Sequence, residues 1–251
     1  MKKYFKGFLM AVSMFTIIPL PYYQWDDEGA KHILKFYPFI GFIIGLIWYG
    51  IYKLTVLLGM STMLSSAITM IIPFVITGML HLDGYMDVCD ALLSRRDKEE
   101  KIRILKDPNT GAFAVISLGI LFIVEFAAIY TIVDNNINTL GFILIPIISR
   151  GLMGLLLICK KPMKESSLGA YFRKDTGKFD KLILIGILII VSISFYLIFN
   201  IKALIIPILM IISGLLVVKS SANELGGMSG DSAGYGLVIS ELIGVLFLTL
   251  I

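Results

Sequence analysis

Residues 36–80 carry a single charged side chain, Lys53. Such a run is long enough for two membrane crossings, because a hydrocarbon core about 30 Å thick takes roughly 20 residues of helix. Gly59, Ser61, Thr62, Ser65 and Ser66 supply a turn near its middle, so the run predicts two hairpinned spans. Lys53 then snorkels outward. Further uncharged or nearly uncharged runs cover 112–133, 137–159, 182–200, 203–218 and 232–251. The expected fold is therefore all-α, a polytopic integral membrane helical bundle of about seven transmembrane helices forming one catalytic domain over 1–251. Composition agrees: 57% of residues are hydrophobic, 16% are charged, and the mean hydropathy is +0.89.

The start, MKKYFKGFLMAVSMFTIIPLP, has the basic flank and apolar stretch of a signal peptide. It lacks a small-residue cleavage pattern and ends in Pro19 and Pro21, which favours a retained interfacial or re-entrant helix. Gly41 and Gly45 form a GxxxG step that permits close helix approach, a spacing also common by chance in apolar segments. Cys89 and Cys159 stand far apart, which argues against a disulfide framework or a thiolate metal site.

Lysine and arginine placement sets the sidedness. Residues 1–35 hold five, 81–111 six, 160–181 seven and 219–231 one, while the turns near 60, 135 and 201 hold only Lys202. The positive-inside rule puts every long loop on the cytoplasmic side of the cell (inner) membrane. A net charge of +4 distributed this way marks topology and excludes nucleic acid as the main partner. The lipid bilayer is the first partner.

The most informative stretch is His81-Leu-Asp-Gly-Tyr-Met-Asp-Val-Cys-Asp, with Asp83, Asp87 and Asp90 at i, i+4 and i+7. At about 100° per residue these carboxylates share one helical face. Bare like charges there repel, and a divalent cation is the natural compensator. An oxygen-only donor set points to Mg²⁺, with Mn²⁺ as the alternative. A solvated helix end paired with Arg95, Arg96 and Lys98 is the plainer reading. Against it, Asp107 in KDPNTG and Asp231 in GGMSGDSAG fall on the same membrane face. Gly111, Gly227 and Gly230, close to carboxylates, suit backbone approach to phosphate. His81 points about 160° away from Asp83, which suits a helix-boundary or supporting role.

Cations for a polyanionic ligand are at hand in Arg95, Arg96, Lys106, Arg173 and Lys174. Arg150 differs, since nine residues separate it from Lys160 and an arginine at that depth needs a partner or a ligand. Glu125 is the expected partner across the bundle, and Glu241 lies mid-span in the last helix.

Clustered carboxylates, a divalent ion and arginines at a membrane face suit transfer between phosphate esters. CDP-alcohol phosphotransferases, intramembrane prenyltransferases and nucleotide-loop assembling transferases all use such a site. A divalent-cation transporter is the alternative of another class, and it predicts acids within the spans.

At these residues the chain resembles the cobalamin synthase family, the adenosylcobinamide-GDP ribazoletransferases. Thr16-x-x-Pro19-x-Pro21, Tyr37-Pro38-x-x-Gly41, HLDGYMDVCDALLSRR with Lys106-Asp107 and Gly111, Ser149-Arg150, Ser167-Leu168-Gly169, and GGMSGDSAG followed by Glu241-Leu242 match it in order and spacing. The chain departs from the family pattern at Pro108, Ser229, Ala233 and Tyr235. The resemblance implies a reaction of adenosylcobinamide-GDP with α-ribazole or its 5′-phosphate, giving adenosylcobalamin or its 5′-phosphate plus GMP. It further implies Mg²⁺ on Asp83, Asp87 and Asp90, completed by Asp231 or Asp107, with the first three catalytic. Arg96, Lys106, Arg150, Gly111, Gly227 and Gly230 then bind substrate. A corrin macrocycle is bulky, so it implies a groove among cytoplasmic loops or an interface in a homo-oligomer.

Overall fold

A computed structural model describes residues 2–21, 25–164 and 176–251. Ser167, Leu168, Gly169, Arg173 and Lys174 lie outside the described residues. The apolar runs fold as helices: α3 (Ile33–Leu57), α7 (Ala112–Asp134), α8 (Gly141–Cys159), α9 (Lys178–Ile198), α10 (Ile205–Leu225) and α11 (Gly230–Leu248). These six are long and apolar enough to cross a membrane. The chain is a multi-pass helical membrane protein.

α8 is the axis of the bundle, buried on nearly all sides and packed against α3, α9, α10 and α11. The GxxxG step explains its closest partnership. A Cβ at Gly41 would strike the Pro146 carbonyl oxygen, and one at Gly45 would lie 2.6 Å from that of Ile143. The two small residues let α3 rest backbone to backbone on α8. α9, by contrast, buries few of its residues and turns Ile189, Ile190 and Leu197 outward, as a lipid-facing helix does.

The second expected span is broken within its apolar run: α4 (Thr62–Ile76) stops after 15 residues, and only as a bent pair with the helix that follows is it long and apolar enough to count as a seventh crossing. The Thr77 hydroxyl donates to the Pro73 carbonyl at 2.9 Å, and Gly78 and Met79 then take left-handed φ of 59° and 62°. Two such residues in succession cannot continue a helix. The chain resumes as α5 (Leu80–Leu93), turned by 90° from α4. That turn packs α5 against α7 and α11.

The N-terminal helix α1 (Lys2–Phe15) is 14 residues, about 21 Å, too short to cross. It buries Met10, Ala11, Val12 and Phe15 in the same core as α3 and α8. The segment after it serves the α4–α5 break: the Ile17 amide donates to the Ile76 carbonyl at 2.8 Å, and Thr16 accepts from the Ile18 amide at 3.3 Å. A short helix α2 (Asp27–Ala30), a helix α6 (Lys98–Leu105) and a single 3-10 turn over Ile201–Leu204 complete the described helices.

Candidate functional site

The acids of the two glycine-rich motifs meet because their glycines let two helices touch. A Cβ at Gly84 of α5 would sit 2.8 Å from the Asp231 Cα, and one at Gly234 of α11 would sit 2.9 Å from the His81 carbonyl oxygen. α5 and α11 therefore cross backbone to backbone, which sets Asp231 at the start of α11 beside the acidic face of α5. Ser229 caps α11, its Oγ accepting from the Ser232 amide at 3.1 Å, and the same hydroxyl donates to Asp231 Oδ2 at 3.4 Å.

Asp83 is exposed on this face, and Asp87 and Asp90 are half-buried. The Asp87 carboxyl is pushed up to about 6, first by burial and then by Asp83, Asp231 and Asp90. Every charged group acting on it is another carboxylate. Among the described residues, no three His, Cys, Asp or Glu side chains close on one point. The four carboxylates are close enough to act on one another, Asp83, Asp231 and Asp90 on Asp87, and Asp83 on Asp231. Their all-oxygen chemistry suits a hard divalent cation.

Asp90 has a second occupation. Its carboxylate rests on Gly111, where a Cβ would overlap it, and accepts from the Ala114 amide at 3.4 Å. Gly111 is the N-cap of α7 and has no side chain to do this, so Asp90 supplies the cap from α5. The glycine makes room for a carboxylate of this chain.

The remaining candidates separate. Asp107 turns onto its own loop, accepting from the Asn109 amide at 2.9 Å, which holds its carboxyl below the usual range. Arg96 and Lys106 stand exposed on the 95–107 segment. Gly230 is exposed, with open space at its Cβ position. Gly227 has another reason: at φ 154° it presses on the Pro162–Met163 backbone, where a Cβ would meet the Met163 nitrogen at 2.5 Å.

Arg150 is 1% exposed. Its guanidinium donates to Glu241 and, at 3.1 Å, to Ser149 Oγ, and that hydroxyl donates to Glu241 at 2.7 Å. The expected pairing with Glu125 is corrected: α8 and α11 pack directly and bring Glu241 to the arginine, while Glu125 is buried on α7. His81 is buried, as its angle from Asp83 implied, with Nε2 3.3 Å from the Tyr37 hydroxyl of α3. That Tyr37–His81 link and the Ser149 bridge were not assigned from sequence. Their only trace there was membership in the Tyr37-Pro38 and Ser149-Arg150 motifs.

Comparison with known proteins gives a consistent result. Residues 7–249 match the family described as cobalamin-5-phosphate synthase. An adenosylcobinamide-GDP ribazoletransferase of Clostridium botulinum (strain Alaska E43 / Type E3) is 51% identical over 245 residues, covering 98% of this chain and 97% of that protein. One from Clostridium perfringens (strain SM101 / Type A) is 46% identical over 251 residues and covers both chains fully. One from Brevibacillus brevis is 29% identical, covering 98% of this chain and 97% of the relative. No solved structure matches.

Proposed function

Because the chain belongs to the cobalamin-5-phosphate synthase family, we propose that it transfers the phosphocobinamide group of adenosylcobinamide-GDP to α-ribazole or its 5′-phosphate. The products are adenosylcobalamin, or its 5′-phosphate, and GMP. The observation that carries this reading is the crossing of α5 and α11, which gathers Asp83, Asp87, Asp90 and Asp231 into one acidic region. A cobinamide–GDP diphosphate needs charge neutralisation before a hydroxyl can attack it, and this region suits that task.

Asp83, Asp87 and Asp231 are the residues to hold Mg²⁺, or Mn²⁺. Once bound, such an ion neutralises a diphosphate and the departing phosphate. The chain's own groups do the rest. A carboxylate of the set takes the proton of the ribazole 3′-hydroxyl as its oxygen bonds to the cobinamide-side phosphorus. The bond from that phosphorus to the bridging oxygen breaks, and GMP leaves with the electron pair. Arg96 and Lys106, exposed on the adjoining segment, meet phosphate oxygens. Gly230 leaves the start of α11 open for backbone approach. Asp90 lines the region while fastening α7 to α5, and Arg150 acts through Glu241 as a positioning residue.

The lysine and arginine distribution supports the reading that this region faces the cytoplasm. The test is to incubate purified protein with adenosylcobinamide-GDP, α-ribazole and Mg²⁺, with and without EDTA. Equimolar corrinoid product and GMP that vanish with EDTA are expected. GMP release that ignores α-ribazole, or no reaction from folded protein with either form of the nucleoside, overturns the reading.

A further inference from the structure

α7 carries an ionisable group that the transfer does not use. Glu125 stands midway along this helix and is 4% exposed. Among the described residues, none donates a hydrogen bond to it and none pairs with it as a cation. The helices packed on α7 are α4, α5 and α11. α4 has no ionisable side chain over 62–76. α5 meets the first turns of α7, where Asp90 accepts from the Ala114 amide and the Tyr85 hydroxyl donates to the Ser117 carbonyl at 3.1 Å. α11 supplies Glu241, the charged group that acts on Glu125. Helix register explains the meeting. Both helices start against α5 and run parallel, Leu121 and Val238 pack in one apolar cluster, and Glu125 and Glu241 come one turn further along each.

Glu241 is only half satisfied. Its Oε1 takes both bonds, from Arg150 and from Ser149, while Oε2 has no donor among the described residues. Arg150 is therefore one cation set against two buried acids. An ionised Glu125 would be a second carboxylate beside the first with no counter-charge of its own, and desolvation and repulsion both oppose that state. A proton on Glu125 removes the charge and supplies the donor that Oε2 lacks. A sodium ion would offset the charge as well, but it gives Oε2 no hydrogen-bond donor.

We propose that Glu125 is held as the neutral acid and donates its proton in a hydrogen bond to Glu241 Oε2, which makes it a positioning residue for the transfer. The bond ties α7 to α11, the helices whose first turns hold the Asp90 cap and Asp231. Its effect on turnover rests on the transferase reading above, whereas its existence does not.

Infrared spectroscopy of the purified protein reads the proton directly, since a carboxylic acid has a carbonyl stretch that carboxylates and amides lack. At a pH well above the value of about 6 to which Asp87 is pushed, wild type should show this band and Glu125→Gln should lack it. In Arg150→Met/Glu241→Leu the band should persist at a higher frequency, because the acid has lost its acceptor. No band difference between wild type and Glu125→Gln overturns the proposal, as does a band that stays in place in the double variant. A band that appears only when sodium is withdrawn assigns the charge compensation to that ion and overturns it too. Turnover tests the positioning role. Glu125→Gln keeps a donor and should stay within about threefold of wild type, whereas Glu125→Leu should lose roughly tenfold in kcat with KM little changed. Should the Leu variant not fold, Glu125→Asp, one methylene short of the bond, takes its place with the same expected loss. A donor-less or shortened variant as fast as Glu125→Gln refutes the positioning role. Should wild type release no GMP at all, the transferase reading fails, while the infrared result still decides whether Glu125 holds the proton.

Discussion

Gly84→Ala isolates the crossing of α5 and α11. The new Cβ would stand 2.8 Å from the Asp231 Cα and 3.1 Å from its carbonyl oxygen, against 3.4 Å or more in ordinary contact. The shortfall is about 0.6 Å, and both neighbours are backbone, so no side-chain rotation relieves it. The helices must separate or slide by that amount, which moves Asp231 relative to Asp83 and Asp87. Overpacking of this kind costs roughly 1–3 kcal/mol of stability. A misplacement approaching 1 Å in a reacting constellation costs on the order of 10²-fold in rate. Gly119→Ala is the control, since nothing lies within 4 Å of its Cβ position on α7. Thermal melting in detergent and single-turnover GMP release should show Gly84→Ala folded but slowed about 10²-fold, with Gly119→Ala near wild type in rate. A Gly84→Ala variant with wild-type rate and melting temperature would refute the claim that this crossing sets the site.

Other consequences are equally direct. Replacing Glu241 with Gln leaves the Arg150 guanidinium buried without its counter-charge, and denaturation should show a loss of about 3–5 kcal/mol, whereas Arg150→Met/Glu241→Leu should recover most of it. Asp90→Ala removes the cap of α7 and should cost about 1 kcal/mol, with Asp90→Asn retaining much of the cap, as hydrogen exchange of the first turn of α7 would report. Asp87, pushed up to about 6 from the ordinary carboxylate value near 4, binds its proton more tightly folded than unfolded. Its ionisation therefore weakens the metal-free fold as pH rises from about 4 to about 6. Wild type in EDTA should melt higher toward the acid end of that window, and Asp87→Asn should lack this component; equal pH profiles would contradict the crowding.

Much of the bundle was legible because membrane helices announce themselves by uncharged length, and the runs that became α3 and α7 to α11 did so. The end of α4 was hidden, since a left-handed Gly78 invites a stop but Met79 does not, and apolarity continues across the break. The shared face of Asp83, Asp87 and Asp90 followed from helical angle alone. That Asp231 joins them follows from Gly84 and Gly234 as packing residues, and sequence alone does not distinguish such glycines from ligand-binding ones. The same ambiguity attended Gly111 and Gly227, whose missing side chains accommodate Asp90 and Met163. Arg150 demanded a partner by its depth, but choosing Glu241 over Glu125 required knowing that α8 packs on α11.

The central claim, that the acids of α5 and α11 form the reacting centre, is tested most directly by Asp83→Asn and Asp87→Asn. Each variant would be assayed for corrinoid product and GMP, with Mn²⁺ binding followed on the same samples by electron paramagnetic resonance. Folded proteins with weakened Mn²⁺ binding and turnover reduced by roughly 10³-fold or more are expected. Near wild-type turnover by both would place the chemistry elsewhere in the bundle.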